Sequence, residues 1–126
     1  MFTVKIRQHI MIAHSLQSPA FGPAQQLHGA TYIVDASFIA KKLDKNNIVI
    51  DIDKASKLLK QVLSPLNYKN LDDLPQFKGH LTTTEYLARY IHQQICEEVK
   101  AYFKGTLKIT LEESHVAWAS YEGKVK

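Results

Sequence analysis

Along residues 2–14, Phe2, Val4, Ile6, Ile10, Ile12 and His14 share one parity, and Thr3, Lys5, Arg7 and His9 share the other. This two-residue period reads as a long strand, with the mostly apolar set on one face. A strand of that kind needs a second layer laid over its apolar side. The rest of the sequence supplies one. Residues 30–39 (ATYIVDASFI) form a second run rich in β-branched and aromatic residues, and residues 44–47 (DKNN) mark a turn before the short apolar run Ile48 to Ile52. Ala55, Leu58, Leu59, Val62, Leu63 and Leu66 then recur at intervals suited to a helix with one buried stripe, which Pro65 discourages from continuing.

Residues 66–82 form a long irregular connection holding Pro75 and Gly79. Loops of that length are often functional, with disorder as the competing reading. Thr82 and Glu85 have the spacing of a capping box, and Leu87, Ile91, Ile95, Val99 and Phe103 continue as a helix of about five or six turns that Gly105 stops. Two closing strands follow, Leu107 to Glu112 and Val116 to Tyr121. The order ββααββ predicts an α+β domain over residues 1–126, a four-stranded antiparallel sheet with two helices on one face. The first and last strands then present open edges, and a homo-oligomer that pairs or covers them is expected.

Composition narrows the classes. The chain is 45% apolar, enough for one packed core. Its net charge of +4 is scattered rather than blocked, which argues against nucleic acid as a partner. Cys96 is the only cysteine, so an intramolecular disulfide and a cysteine-based zinc site are both excluded. Lys5 and Arg7 break the amino-terminal apolar run, there is no signal-peptide layout, and no stretch has membrane-spanning length. A cytoplasmic location with no membrane partner is expected.

Six short stretches, in order, give the chain a more specific character. They are Ala13-His14; Ala24 to Ala30 (AQQLHGA); Asp51-Ile52; Leu66 to Asp72 (LNYKNLD); Thr82 to Glu85 (TTTE); and Glu113-Ser114. Together they resemble the 6-pyruvoyltetrahydropterin synthase and 6-carboxytetrahydropterin synthase family. Its corresponding elements are an Ala-His pair, Cys-x-x-x-His-Gly-His, Asp-Phe, Leu-Asp-His-x-x-Leu-Asn, Pro-Thr-x-Glu and Glu-Thr. The resemblance implies the tunnelling fold, in which ββααββ subunits assemble into a barrel-like ring with substrate pockets between neighbours. It also implies a zinc ion on three histidines, a cysteine base assisted by an Asp-His pair, and a lyase reaction on the side chain of dihydroneopterin triphosphate. It implies, too, a buried glutamate that grips the pterin ring.

Carried over position by position, two zinc ligands are present, His14 and His28, while the third position is Ala30. The cysteine position is Ala24, and the Asp-His pair is Asn67-Tyr68. Catalytic zinc takes three protein ligands plus an open place, so two imidazoles make an incomplete site unless His9, His80, His115 or Asp72 joins them. Glu113 is the strongest candidate for substrate binding and, if any residue is catalytic, for that role, because a carboxylate suits paired N–H donors of a guanine-like ring; its alternative is a solvated strand end. Thr83 and Thr84, at a helix start, are candidates for lining the same pocket, though Thr83 and Glu85 also suit a plain helix cap. Asp51 suits a helix cap or strand end, and Tyr68 a packed loop position; its ordinary pKa near 10 makes it a poor base.

Three functions remain open at this point. One is a divergent family member that binds a pterin or purine-like small molecule without the usual chemistry. The second is a working zinc-dependent pterin lyase with a substituted ligand and base. The third is a non-catalytic oligomeric scaffold.

Overall fold

The strand over Phe2–His14 (β1) pairs antiparallel along its whole length with β2, His28–Ala40, from Phe2 opposite Ala40 to His14 opposite His28. In the computed structural model, which describes residues 1–126, β2 pairs on its other side with β4 (Gly105–Ser114), and β4 pairs with β5 (Ala117–Val125). The helices are α1, Ile52–Leu63, and α2, Thr84–Val99. The α+β class and the strand and helix order follow the sequence. The strand count does not. A two-residue strand, β3 (Lys69–Asn70), runs parallel to β1 at Ile12 and Ala13, so the sheet is five-stranded and mixed, in the order β3-β1-β2-β4-β5. Two residues carry no periodicity to read. What holds them is a clip: Tyr68 N–H donates to the Met11 carbonyl at 2.6 Å, and Asn67 Oδ1 accepts from Met11 N–H at 3.0 Å.

One face of the sheet is apolar and covered. Ile6, Ile10 and Ile12 of β1, Val34, Ala36 and Phe38 of β2, and Leu107, Ile109 and Leu111 of β4 are all buried there. Against them lie Leu58, Leu59 and Leu63 of α1 and Leu87, Ile91, Ile95 and Val99 of α2. Burying each such large side chain contributes roughly 1.5–3 kcal/mol, which outweighs the weak intrinsic stability of helices this short. The opposite face is polar, with Arg7 gripping Asp35 through Nε at 2.7 Å and Nη2 at 2.9 Å.

Helix ends depart from the sequence reading. Asp51 does cap α1, accepting from Lys54 N–H at 3.2 Å, and the turn before the Ile48–Ile52 run holds a left-handed Asn47 at φ 62°. The cap of α2 is Thr83, whose Oγ1 accepts from Tyr86 N–H at 3.1 Å. Glu85 is thereby in the second helical position, and no Thr82–Glu85 capping box forms. α2 stops at Val99, a turn earlier than predicted, and Phe103 instead packs edge-on against Phe38 at 5.3 Å. Gly105 opens β4 rather than ending a helix; a Cβ there would collide with the Ile39 carbonyl.

The connection after α1 is ordered by its apolar residues. Leu66, Leu71 and Phe77 are buried, and short 3-10 turns at Leu71–Asp73 and Pro75–Phe77 join them. β3 pairs with β1 at Ile12 and Ala13 and the clip takes up Met11, so the outer edge of β1 from Phe2 to Ile10 has no strand beside it, and neither has the outer edge of β5. No helix is long and apolar enough to cross a membrane.

Candidate functional site

The covered face of the sheet extends beyond the helices at one end, and there its residues become polar. His14 ends β1 directly opposite His28, which begins β2, and their rings meet edge to face at 4.6 Å. His14 is buried, with Nδ1 3.0 Å from Thr82 Oγ1. Burial pushes its pKa below the ordinary value, and the neighbouring His28 adds to this; Thr82 and Asp72 act in the opposite sense. His28 is half-buried, and its Nδ1–H donates to the Gln26 carbonyl at 2.8 Å, which leaves Nε2 as the acceptor nitrogen of the neutral ring.

Two residues beyond His28, on the same face, Ala30 puts a methyl group where a third imidazole would complete the pair, and it packs against the core. Asp72 is close enough to act on His14, but its Oδ2 accepts from both Ser15 N–H at 3.1 Å and Ser15 Oγ–H at 2.6 Å. His9 points to the other face of β1, His80 stacks on Tyr86 at 5.3 Å, and His115 is exposed in the β4–β5 turn. Nowhere do three His, Cys, Asp or Glu side chains converge to hold one ion. This donor set does not fit a three-ligand catalytic zinc centre.

Ala24 is half-buried in a 3-10 segment, Pro19–Gln25, whose return onto β1 is fixed by Leu16 N–H donating to the Ala24 carbonyl at 3.0 Å. Its methyl has no proton to transfer. Asn67 and Tyr68 serve the β1–β3 clip, and Tyr68 is not a packed residue: its backbone is left-handed at φ 60° and its ring is 77% exposed. Cys96, on α2, meets His92 Nδ1 at 3.5 Å, while His92 Nε2 donates to the Gly123 carbonyl at 3.1 Å. Burial raises the thiol's pKa, the reverse of what a nucleophile needs.

Glu113 lies on β4 where its pairing with β5 slips between Glu112 and Ser114. Its position shares the parity of Leu107, Ile109 and Leu111, which face inward, yet its own side chain is exposed. On β2, one residue past the last β2–β4 pair at Ile33 and Glu112, is Tyr32, fully buried, with a hydroxyl that has no hydrogen-bond partner. Burial raises the Tyr32 pKa; the Thr84 hydroxyl opposes this, and the Glu113 and Glu85 carboxylates reinforce it. Thr84 is buried beside that phenol, whereas Thr83 is occupied as the helix cap. The fold thus brings together His14, His28, Thr82, Thr84, Tyr32 and Glu113 at one end. Sequence reasoning gives Thr82 only the part of a helix cap and does not single out Tyr32, which lies within the apolar run of residues 30–39.

A hollow of about 490 Å³ at this end is lined by Ser15, Asp72, Lys78 and His80. A more apolar one of about 510 Å³, between Phe2, Val4, Ile48 and Ile50, lies at the far end of β1 and takes no part in the site.

A family model described as 6-pyruvoyl tetrahydropterin synthase matches residues 3–124. A 6-pyruvoyl tetrahydrobiopterin synthase of Dictyostelium discoideum is 27% identical over 100 residues, spanning 78% of this chain and 74% of that one. One of Poecilia reticulata is 33% identical over 76 residues, 59% of this chain and 52% of the relative. Among solved structures, the Caenorhabditis elegans 6-pyruvoyl tetrahydropterin synthase superposes with a TM-score of 0.81 at 24% identity, covering 97% of this chain and 95% of that chain. The Plasmodium falciparum 6-pyruvoyl tetrahydropterin synthase gives 0.75 at 17% identity, covering 98% and 99%. At these identities the solved structures establish the fold.

Two outcomes are expected from this geometry. His14 binds a proton less readily folded than unfolded, so its contribution to stability is present above the ordinary pKa of 6.5 and is lost as pH falls from there through the lower folded value. Urea titrations in chelator-treated buffer should show His14→Asn with a shallower loss of stability below pH 6.5 than wild type. Separately, Ala30→His supplies the missing imidazole and is expected to raise zinc affinity by about tenfold or more, read by competition with a chromogenic chelator. Equal affinity would mean that position 30 does not face the histidine pair.

Proposed function

The chain belongs to the 6-pyruvoyl tetrahydropterin synthase family, and we propose that this member binds a pterin or purine-like ring without performing the family's ordinary lyase reaction. The observation that carries the proposal is the uneven loss within one site. Positions 24 and 30 carry methyl groups, which neither move a proton nor ligate a metal, while Glu113, Thr84 and Tyr32 keep polar groups at the neighbouring wall. An exposed carboxylate at a strand end has two oxygens with which to accept parallel N–H donors, the arrangement a guanine-like edge presents. Thr84 and the first turn of α2 supply hydroxyl and backbone N–H groups beside it.

Zinc enters this reading only as an ion held weakly by His14 and His28. A working zinc lyase would need a third ligand, and Asp72, the nearest acidic group to act on His14, is already bonded through one oxygen to Ser15. The unpaired edges of β1 and β5 support self-association, with edge meeting edge between copies so that neither is left bare. The exposed Trp118, Val116 and Tyr121 near the β5 edge favour the same arrangement.

Calorimetry against a panel of pterins is expected to show binding to wild type, and Glu113→Gln to weaken it by about thirtyfold or more, the worth of a desolvated charge-assisted pair of hydrogen bonds. Dihydroneopterin triphosphate should turn over far more slowly than about 1 per second, a rate usual for enzymes. Absence of binding by wild type would leave the oligomeric scaffold as the surviving reading. Light scattering at micromolar concentration should give a homo-oligomer; a clean monomer would remove edge pairing.

A further inference from the structure

Tyr32 is fully buried, and its hydroxyl is the one buried side-chain oxygen or nitrogen in the protein without a hydrogen-bond partner. Such an orphan is costly in a folded protein and calls for an explanation. Three polar groups surround it. The Thr84 hydroxyl is close enough to favour the phenolate, yet its contact falls outside hydrogen-bond geometry, and the carboxylates of Glu113 and Glu85 both act on the phenol through space.

The sheet register says which of these the phenol can meet. Ile33 of β2 and Glu112 of β4 are the last pair of that ladder, and Tyr32 and Glu113 are the next residues along the two strands, near enough for the carboxylate to act on the phenol. There the β4–β5 pairing slips, which loosens the backbone around Glu113 and leaves its side chain in solvent although its position belongs to the covered face. Turning inward costs the carboxylate its water. A phenolic O–H waiting without an acceptor offsets that cost, because it gains a charge-assisted hydrogen bond at the moment the carboxylate arrives.

We propose that Tyr32 is a positioning residue: its O–H donates to Glu113 when a ring ligand draws the carboxylate inward, fixing the oxygens that accept the ligand's N–H groups. The inference rests on the ring-binding reading and adds to it the group that orients the carboxylate. It needs an acceptor on Glu113 and a donor on Tyr32, and no contact between Tyr32 and the ligand.

The test uses Tyr32→Phe, which removes only the hydroxyl, with pterin as the probe and guanine as a second. In the free protein the variant is expected to melt at the wild-type temperature or higher, because an unpartnered buried hydroxyl has been deleted. A clear fall would show that the hydroxyl has a partner in the free state, and would overturn the proposal. Binding at neutral pH is expected to weaken by about tenfold, the loss of a hydrogen bond to a charged group. The weakening should shrink in a Glu113→Gln background, whose amide oxygen accepts only a neutral hydrogen bond; if that variant binds too feebly to measure, the ratio of wild-type to Tyr32→Phe affinity should shrink as pH falls through the carboxylate range. An undiminished effect in either comparison would mean that Tyr32 touches the ligand directly, and equal binding by Tyr32→Phe and wild type would mean that it does nothing; both overturn the proposal while leaving ring binding intact. No binding by wild type would instead defeat the ring-binding reading, and this inference with it.

Discussion

The two-residue period of the sheet is the constraint from which the rest follows. Because side chains alternate strictly between faces, the residues that must be buried under α1 and α2 and the residues that end up in the candidate site are drawn from the same rows. Ile10, Ile12 and His14 are successive members of one row, as are His28, Ala30, Tyr32 and Val34 of another. Where the helices stop covering these rows, the same alternation that made a core makes a wall of polar groups. A one-residue slip of β1 against β2 would expose the isoleucines and carry His14 away from His28 together.

Around that wall, hydrogen bonding decides which polar groups are committed and which are spare. Thr82 is taken by His14, Thr83 by the α2 cap, and Asn67 by the edge of β1. Asp72 is taken by Ser15. Tyr32 and Glu113 are left without protein partners, one buried and one exposed, each the residue just past the last pair of neighbouring strands.

The residues at positions 24, 30, 67 and 68 meet the fold's own needs. Ala24 uses its carbonyl to hold the segment after β1, Ala30 packs against the core, and Asn67 with Tyr68 ties down β3. None of these tasks requires a thiol or an imidazole. The architecture at this end of the sheet therefore stands without those side chains.

By itself the sequence determined the α+β class, the order of the four long strands and two helices, and the buried faces of β1, α1 and α2, because these depend on periods that a run of ten or more residues displays. It also carried the motifs that mark the family, together with the missing third imidazole at Ala30. What it did not carry depends on partners far apart in the chain. β3 is two residues long and exists because Met11 bonds to Asn67 and Tyr68. Among three consecutive threonines, Thr83 caps α2 while Thr82 is bonded to His14 from across the fold. Tyr32 lies within an apolar run, and only the packing of β2, β4 and the start of α2 decides that its hydroxyl is enclosed with nothing to bond. Periodicity records which face a side chain takes; whether a polar atom on that face finds a partner is settled by three-dimensional proximity, which a single sequence does not encode locally.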